Sequence, residues 1–227
     1  KVERALIRNL DTNTLELVDP ATGRVDISLS QGLPEDIFWG DIAPDGSKIA
    51  FSTFGNQGGD AIWIVNLDGS GANKLIDVSA SQQYGSGPFF RYSPNGDEIV
   101  FINKDSNGNP YLAIINTTGA VGAEKILISD GLGSYTSPFW GSDNKIYFER
   151  NIEDGSGENI WVIDPDGSNL KKIGGNGHSF GPVACGSYVF FACAIRSFGD
   201  DWRDNEICRM DRDTGANIKY LTDDKYG

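Results

Sequence analysis

One pattern recurs five times along this chain: an apolar stretch, a polar turn ending in glycine, and a second short apolar stretch. The copies are TLELVDPATGRVDISL from Thr14, AIWIVNLDGSGANKLI from Ala61, YLAIINTTGAVGAEKIL from Tyr111, NIWVIDPDGSNLKKI from Asn159 and EICRMDRDTGANIKYL from Glu206. Their turn glycines, Gly23, Gly69, Gly119, Gly167 and Gly215, are 46, 50, 48 and 48 residues apart. A fixed period of this length decides the fold before any single residue does. β-branched and aromatic residues around Asp, Asn and Gly predict a strand, a tight turn and a strand in each copy, with Gly supplying the positive φ of the turn.

A second recurrence lies ahead of each hairpin. KIAFST, EIVFIN, KIYFER and YVFFAC place an aromatic at Phe51, Phe101, Phe148 and Phe191. They follow the turns Ala43-Pro44-Asp45-Gly46 and Ser93-Pro94-Asn95-Gly96, which decay to Gly141-Ser142-Asp143-Asn144 and then to Cys185-Gly186-Ser187. In the intact copies Pro fixes φ and Gly permits a left-handed exit. Before the turns come the strands IFWGDI, PFFRYS, PFWGS and PVACG. The unit therefore reads strand a, turn, strand b, loop, strand c, turn, strand d, with no helical period in it. Four antiparallel strands repeated in this way form the blade of a β-propeller, so the fold class is all-β.

The stretches APDGSKIAFS and SPNGDEIVFI, followed by DAIWIVNLDGSGANKL and ENIWVIDPDGSNLKKI, resemble the repeats of TolB-like β-propellers. The resemblance covers residues from about Ala5 to Thr222, strongest in the second and fourth units. It implies a secreted, periplasmic or cell-surface protein that binds protein partners. It also leaves room for an accessory propeller of a peptidase or a carbohydrate-active enzyme.

The first unit has strands b, c and d but no recognisable strand a, and the chain ends just after the last strand d. Nineteen strands then make five blades less one strand, over approximate blades 1–31, 32–81, 82–131, 132–176 and 177–227 of a single domain. Six blades, common among TolB-like propellers, are expected instead if the chain is part of a longer protein.

Composition narrows the function. A net charge of −13 and a pI near 4.4 repel phosphate backbones and exclude nucleic acid. The longest apolar runs, such as 188–195, fall far short of the roughly 20 residues of a membrane helix, so no membrane insertion is expected. A single His and three Cys without a CxxC pair leave zinc without ligands. One local disulfide with a free thiol, or three buried thiols, are both allowed: Cys193 on strand b and Cys208 on strand c of the last unit can pair across neighbouring strands, with Cys185 on strand a as the other option.

The b–c loops (54–60, 104–110, 151–158 and 197–205) and the d–a loops are the long ones, and in a propeller they share one face. Aligning Pro88, Pro138 and Pro182 brings Tyr84, Tyr135, His178 and Phe180 to neighbouring positions at the channel mouth, with Pro34, Glu35 and Tyr226 completing the ring. These residues either bind a partner or pack the mouth. Trp39 and Trp140, and Trp63 and Trp161, recur at equivalent positions and read as packing between blades. Trp202, in the polar loop FGDDWRDN, reads as an exposed contact near Phe198 or as local packing.

Asn103, Asp105 and Asn107, followed by Gly108, have the oxygen alternation of the first half of a calcium loop. The acid expected six positions after Gly108 is Ile114, which favours an ordinary hairpin loop, and no other cofactor is indicated. Glu153, Asp154 and Glu158, with Asp200, Asp201 and Asp204, make the long-loop face acidic and favour a cationic partner. His178 has no nucleophile motif beside it, so no catalysis is expected of this chain.

The expectation is a non-catalytic module binding a protein or peptide. Its alternatives are a carbohydrate-binding or carbohydrate-processing accessory propeller, or the gating propeller of a larger peptidase or surface protein. The intact mass of the native product tests the five-blade reading: a value near 24.6 kDa agrees with it, and a value well above that overturns it.

Overall fold

The computed structural model describes residues 5–9, 11–12, 14–29, 37–53, 60–79, 89–117, 124–152, 154–177, 179–194 and 205–222. Among the described residues are nineteen strands and no helix. The first sheet holds β1 (Ala5–Asn9), β2 (Thr14–Val18) and β3 (Val25–Leu29). The second holds β4 (Ile37–Ile42), β5 (Lys48–Thr53), β6 (Ala61–Asn66) and β7 (Asn73–Asp77), and the third β8 (Phe90–Tyr92), β9 (Glu98–Lys104), β10 (Pro110–Asn116) and β11 (Lys125–Ile128). The fourth holds β12 (Ser134–Trp140), β13 (Ile146–Asn151), β14 (Glu158–Ile163) and β15 (Lys171–Gly177), and the fifth β16 (Ser179–Cys185), β17 (Tyr188–Ala194), β18 (Asn205–Asp211) and β19 (Lys219–Tyr220).

Strands follow chain order within every sheet, which is the a-b-c-d pattern of the repeat, with strand a absent from the first sheet among the described residues. The fold is that of a β-propeller of antiparallel blades. The chain divides into two compact units, Lys1–Gly108 with Ile115–Glu124, and Asn109–Ile114 with Lys125–Gly227.

In the first unit, β5 shows why the strands form as they do. Side chains alternate across a strand, and five consecutive residues of KIAFST from Ile49 to Thr53 are buried, so both faces of β5 are covered. On one face Ile49 and Phe51 join Leu15, Leu17 and Leu29 of the first sheet, and Phe51 stacks on Trp63 with ring centroids 6.3 Å apart. Burying a side chain the size of Phe51 contributes about 2–3 kcal/mol. The sheets approach closely because position 40 is glycine: a Cβ there would meet Leu6 Cδ2 at 2.6 Å.

The turns close on their own carboxylates. Asp45 Oδ1 accepts from Ser47 N and Oγ at 2.9 and 2.8 Å, and Gly46 N donates to Ala43 O at 2.8 Å. Asp68 with Ser70, and Asp166 with Ser168, repeat the arrangement in the c–d turns.

In the second unit, Tyr147, Ile160 and Ile173 of the fourth sheet pack against Val189, Phe191, Cys193, Cys208 and Met210 of the fifth. Gly215, a repeat glycine at φ +68, lies where a Cβ would fall 1.3 Å from Ile173 O, so packing as well as turn geometry requires glycine. Of the cysteine pairings left open by the sequence, the structure has Cys193–Cys208, with Cα atoms 5.9 Å apart on adjacent strands. Cys185 is free and exposed.

The bridge spans 15 residues of sequence. A crosslink of that length stabilises by about 3 kcal/mol, chiefly by restricting the unfolded chain. The double variant Cys193→Ala, Cys208→Ala is expected to lose stability of that order in denaturant melts, and added reductant is expected to change wild type but not the variant.

Candidate functional site

A polar cluster in the second unit sits where β12 begins and β13 ends, beside the loops 129–133 and 152–157. Tyr135, read from the sequence as a mouth aromatic, is only 3% exposed. Its hydroxyl donates to Asp130 Oδ1 at 2.6 Å, and Asp130 Oδ1 also accepts from Leu132 N at 3.1 Å. The other carboxylate oxygen, Asp130 Oδ2, accepts from the Arg150 guanidinium. That guanidinium is buried between two rings, 5.1 Å from the centroid of Tyr135 and 4.9 Å from that of Trp161.

A planar, weakly hydrated cation suits such a slot better than an ammonium would. Burial, then the bond to Asp130, pushes the Tyr135 phenol above its usual range. At Asp130 partial burial opposes the charge, but hydrogen bonds from Tyr135, Leu132 N and Arg150 outweigh it and hold the carboxyl below its usual range. Gly133, at φ +72, admits the loop: a Cβ there would overlap Asn151 O.

Glu149 precedes Arg150 and so points to the opposite face of β13. It is 7% exposed, and it accepts hydrogen bonds from the Thr136 side chain and from Gly181 N on β16. Burial first, and then the nearby Glu158, outweigh those bonds and raise its pKa to about 7. Among the described residues, the groups that set its titration include no cation.

Phe180, next to Gly181, is half-buried on β16, opposite Ala192, and β16 packs on β12. Tyr135 and Phe180 therefore lie on strands packed together. Glu35, Tyr84, His178, Trp202 and Tyr226 lie outside the described residues. Trp140 is buried and donates to Asn144 Oδ1 at 3.0 Å.

The three calcium-loop residues have structural partners. Asn103 Oδ1 accepts from Ser79 N at 2.7 Å and from Lys104 N at 2.8 Å, while its Nδ2 donates to Asp77 O at 3.3 Å. Asp105 Oδ1 accepts from Asn107 N at 2.8 Å, closing the turn locally. Among the described residues no cluster of three His, Cys, Asp or Glu is placed to hold a metal.

The first unit contains a cleft of about 480 Å³ bounded by Leu6, Ile7, Leu15, Trp39, Asp41 and Arg91, among others. Arg91 lies over the Trp39 ring at 4.8 Å and faces Asp41 Oδ1 at 3.7 Å, while Asp41 Oδ2 accepts from Tyr92 N at 3.1 Å. Burial raises the Asp41 carboxyl, and Arg91 and the backbone donors oppose it. Spacing does not reveal this pair; its signal in the sequence is a charge inside each of two strands as apolar as IFWGDI and PFFRYS.

By fold these sheets define a β-propeller, and structures similar to it include TolB proteins. A TolB-type protein of Agrobacterium tumefaciens matches with a TM-score of 0.78 at 20% identity, over 97% of this chain and 76% of its own. TolB of Acinetobacter baumannii matches with 0.72 at 18%, over 96% and 52%. An oligogalacturonate lyase of Vibrio parahaemolyticus matches with 0.66 at 15%, over 96% and 62%. The chain thus spans about half the length of the second and less than two thirds of the third. No protein-family model and no curated protein matches its sequence. The fold is a β-propeller of TolB-like type.

Glu149 gives a pH dependence with a definite sign. Its pKa is raised from 4.5 to about 7, so between those values the folded protein holds a proton that the unfolded chain has released. Stability therefore falls as pH rises through that window, by on the order of 3 kcal/mol, and stays lower above it. Glu149→Gln is expected to flatten the fall and to raise the melting temperature at pH 8; an unchanged profile refutes the uncompensated burial.

Proposed function

We propose that this chain is a non-catalytic protein- or peptide-binding module that works outside the cytoplasm through its long-loop face and channel mouth. The partner is cationic. The observation that carries this reading is Glu149, a carboxyl group buried at the loop-bearing end of β13 beside Glu158 and served, among the described residues, by neutral donors. A Lys or Arg of a partner reaching these acids would relieve the penalty that burial imposes, and a chain of net charge −13 attracts such a partner from a distance. Tyr84, Tyr135, His178, Phe180, Trp202, Glu35 and Tyr226 are proposed to frame the surface.

The likeness in fold to TolB proteins supports a binding role, and the Cys193–Cys208 bridge favours an oxidising compartment. A carbohydrate reading draws on the likeness to the oligogalacturonate lyase. The net charge counts against polyanionic sugars as ligands.

Length-matched basic, neutral and acidic peptides, with a glycan panel alongside, test the proposal. Basic peptides are expected to bind best, to lose about tenfold when salt is raised, and to bind more weakly to the Glu149→Gln, Glu158→Gln variant. Binding of glycans without peptides replaces this reading with the carbohydrate one.

A further inference from the structure

Asparagine followed by glycine is the dipeptide in which a backbone amide most readily reaches the preceding side chain, because glycine has no Cβ to block the approach. The chain has three such pairs, Asn95-Gly96, Asn107-Gly108 and Asn176-Gly177. Their covalent chemistry is identical, and their surroundings differ.

Asn95-Gly96 lies in the turn between β8 and β9, where both ends of the Asn95 carboxamide are held. Its Oδ1 accepts from Ser93 Oγ at 2.6 Å and from Asp97 N at 3.2 Å, and its Nδ2 donates to Asp97 Oδ2 at 3.1 Å. Gly96 is half-buried; its N donates to Ser93 O at 2.9 Å, and its O accepts from Thr117 Oγ1 at 2.9 Å. Thr117 N also donates to Asp97 O at 2.8 Å, so the residue after β10 latches this turn from outside. Asn176-Gly177 lies within β15, with Gly177 opposite Glu158 in the β14–β15 register.

Asn107-Gly108 lies in the loop between β9 and β10, and Ser106, Asn107, Gly108 and Asn109 are all exposed. This turn is closed from within: Asn107 N donates to Asp105 Oδ1 at 2.8 Å, and Gly108 N donates to Asp105 O at 2.9 Å. Those bonds fix backbone atoms and leave the Asn107 carboxamide in solvent. Among the described residues no atom lies within 4 Å of where a Cβ would stand at Gly108. Freeing the Gly108 amide opens one exposed turn, whereas freeing that of Gly96 disturbs the bonds to Ser93 and Thr117 together.

We propose that Asn107 is a modification site, converted by non-enzymatic deamidation to aspartate and isoaspartate in the folded protein, ahead of Asn95 and Asn176. The Gly108 nitrogen gives its proton to a solvent base and attacks Cγ of Asn107. The bond from Cγ to Nδ2 breaks, Nδ2 leaves as ammonia with a proton from solvent, and a cyclic imide joins the two residues. Water then opens the ring. Attack at one carbonyl gives aspartate, and attack at the other routes the backbone through the side chain as isoaspartate. One water is consumed and one ammonia released, and nothing is oxidised or reduced. Either product adds a carboxylate close to Asp105 in one of the long b–c loops. The proposal does not rest on the peptide-binding reading of the loop face.

The intact protein is incubated in mildly alkaline buffer well below its melting temperature, with the same protein in denaturant as reference. Peptide mapping that resolves aspartate from isoaspartate gives, for each asparagine, the ratio of folded to denatured rate. That ratio is expected to be about tenfold or more higher for Asn107 than for Asn95 and Asn176, whose reaction waits on local opening. Isoelectric focusing of the folded protein should show a more acidic form that grows with time. The form should be missing from Asn107→Gln, whose backbone keeps the bonds to Asp105. A ratio for Asn95 or Asn176 equal to that of Asn107 overturns the proposal, and so does an Asn107 that reacts in denaturant but not in the folded protein.

Discussion

The structure depends on sheets that are apolar on both faces. β5 is buried from Ile49 to Thr53, and β9 and β13 carry similar runs, so a sheet of this kind has no side to offer water. A lone three- or four-stranded sheet with two such faces is insoluble and barely stable, and the remedy is another sheet on each side. Leu15 and Leu17 against Ile49 and Phe51 in the first unit, and Ile160 against Val189 and Met210 in the second, are instances of that remedy. Loops are relieved of any duty to fill the core, which leaves their composition free for recognition.

Within this apolar framework, two adjacent residues show how strand alternation assigns opposite roles to charge. Arg150 turns to a face where Tyr135 and Trp161 enclose its guanidinium and Asp130 neutralises it. Glu149 turns the other way and, among the described residues, accepts from the Thr136 side chain and one amide of β16. The first arrangement pairs its charge within the chain. The second lacks a cation among the groups that set its titration, which is the asymmetry behind the proposed cationic partner.

The fold was legible because its signals are local and repeated. Gly69 and Gly167 end equivalent turns, Phe51 and Phe148 mark equivalent strands, and the same spacing separates them, so strand order followed from counting. The site was legible only in part, because its partners are distant in sequence. Tyr135 reads as a mouth aromatic that binds a partner or packs, and spacing does not show Arg150, its partner in the β12–β13 register, over its ring. Asn103 shares the spacing of a calcium loop, though Ile114 in place of the closing acid favours an ordinary hairpin loop; which group takes its oxygen, the amide of Ser79 24 residues earlier, is not visible in the spacing. Asp41 and Arg91 meet across 50 residues, and spacing cannot show which of three cysteines pair. The remaining predicted site residues, Glu35, Tyr84, His178, Trp202 and Tyr226, lie outside the described part of the chain.

The carboxylate-closed turns have a kinetic consequence. Asp45 captures Ser47, Asp68 captures Ser70 and Asp166 captures Ser168, each two residues away, so these turns need no tertiary contact to form. The strands they join are sequence neighbours that pair directly, which keeps loop-closure entropy small and contact order low for an all-β chain. Assembly then has a natural sequence, with turns and their hairpins forming early and independently, and the burial of one sheet against the next as the later, cooperative step.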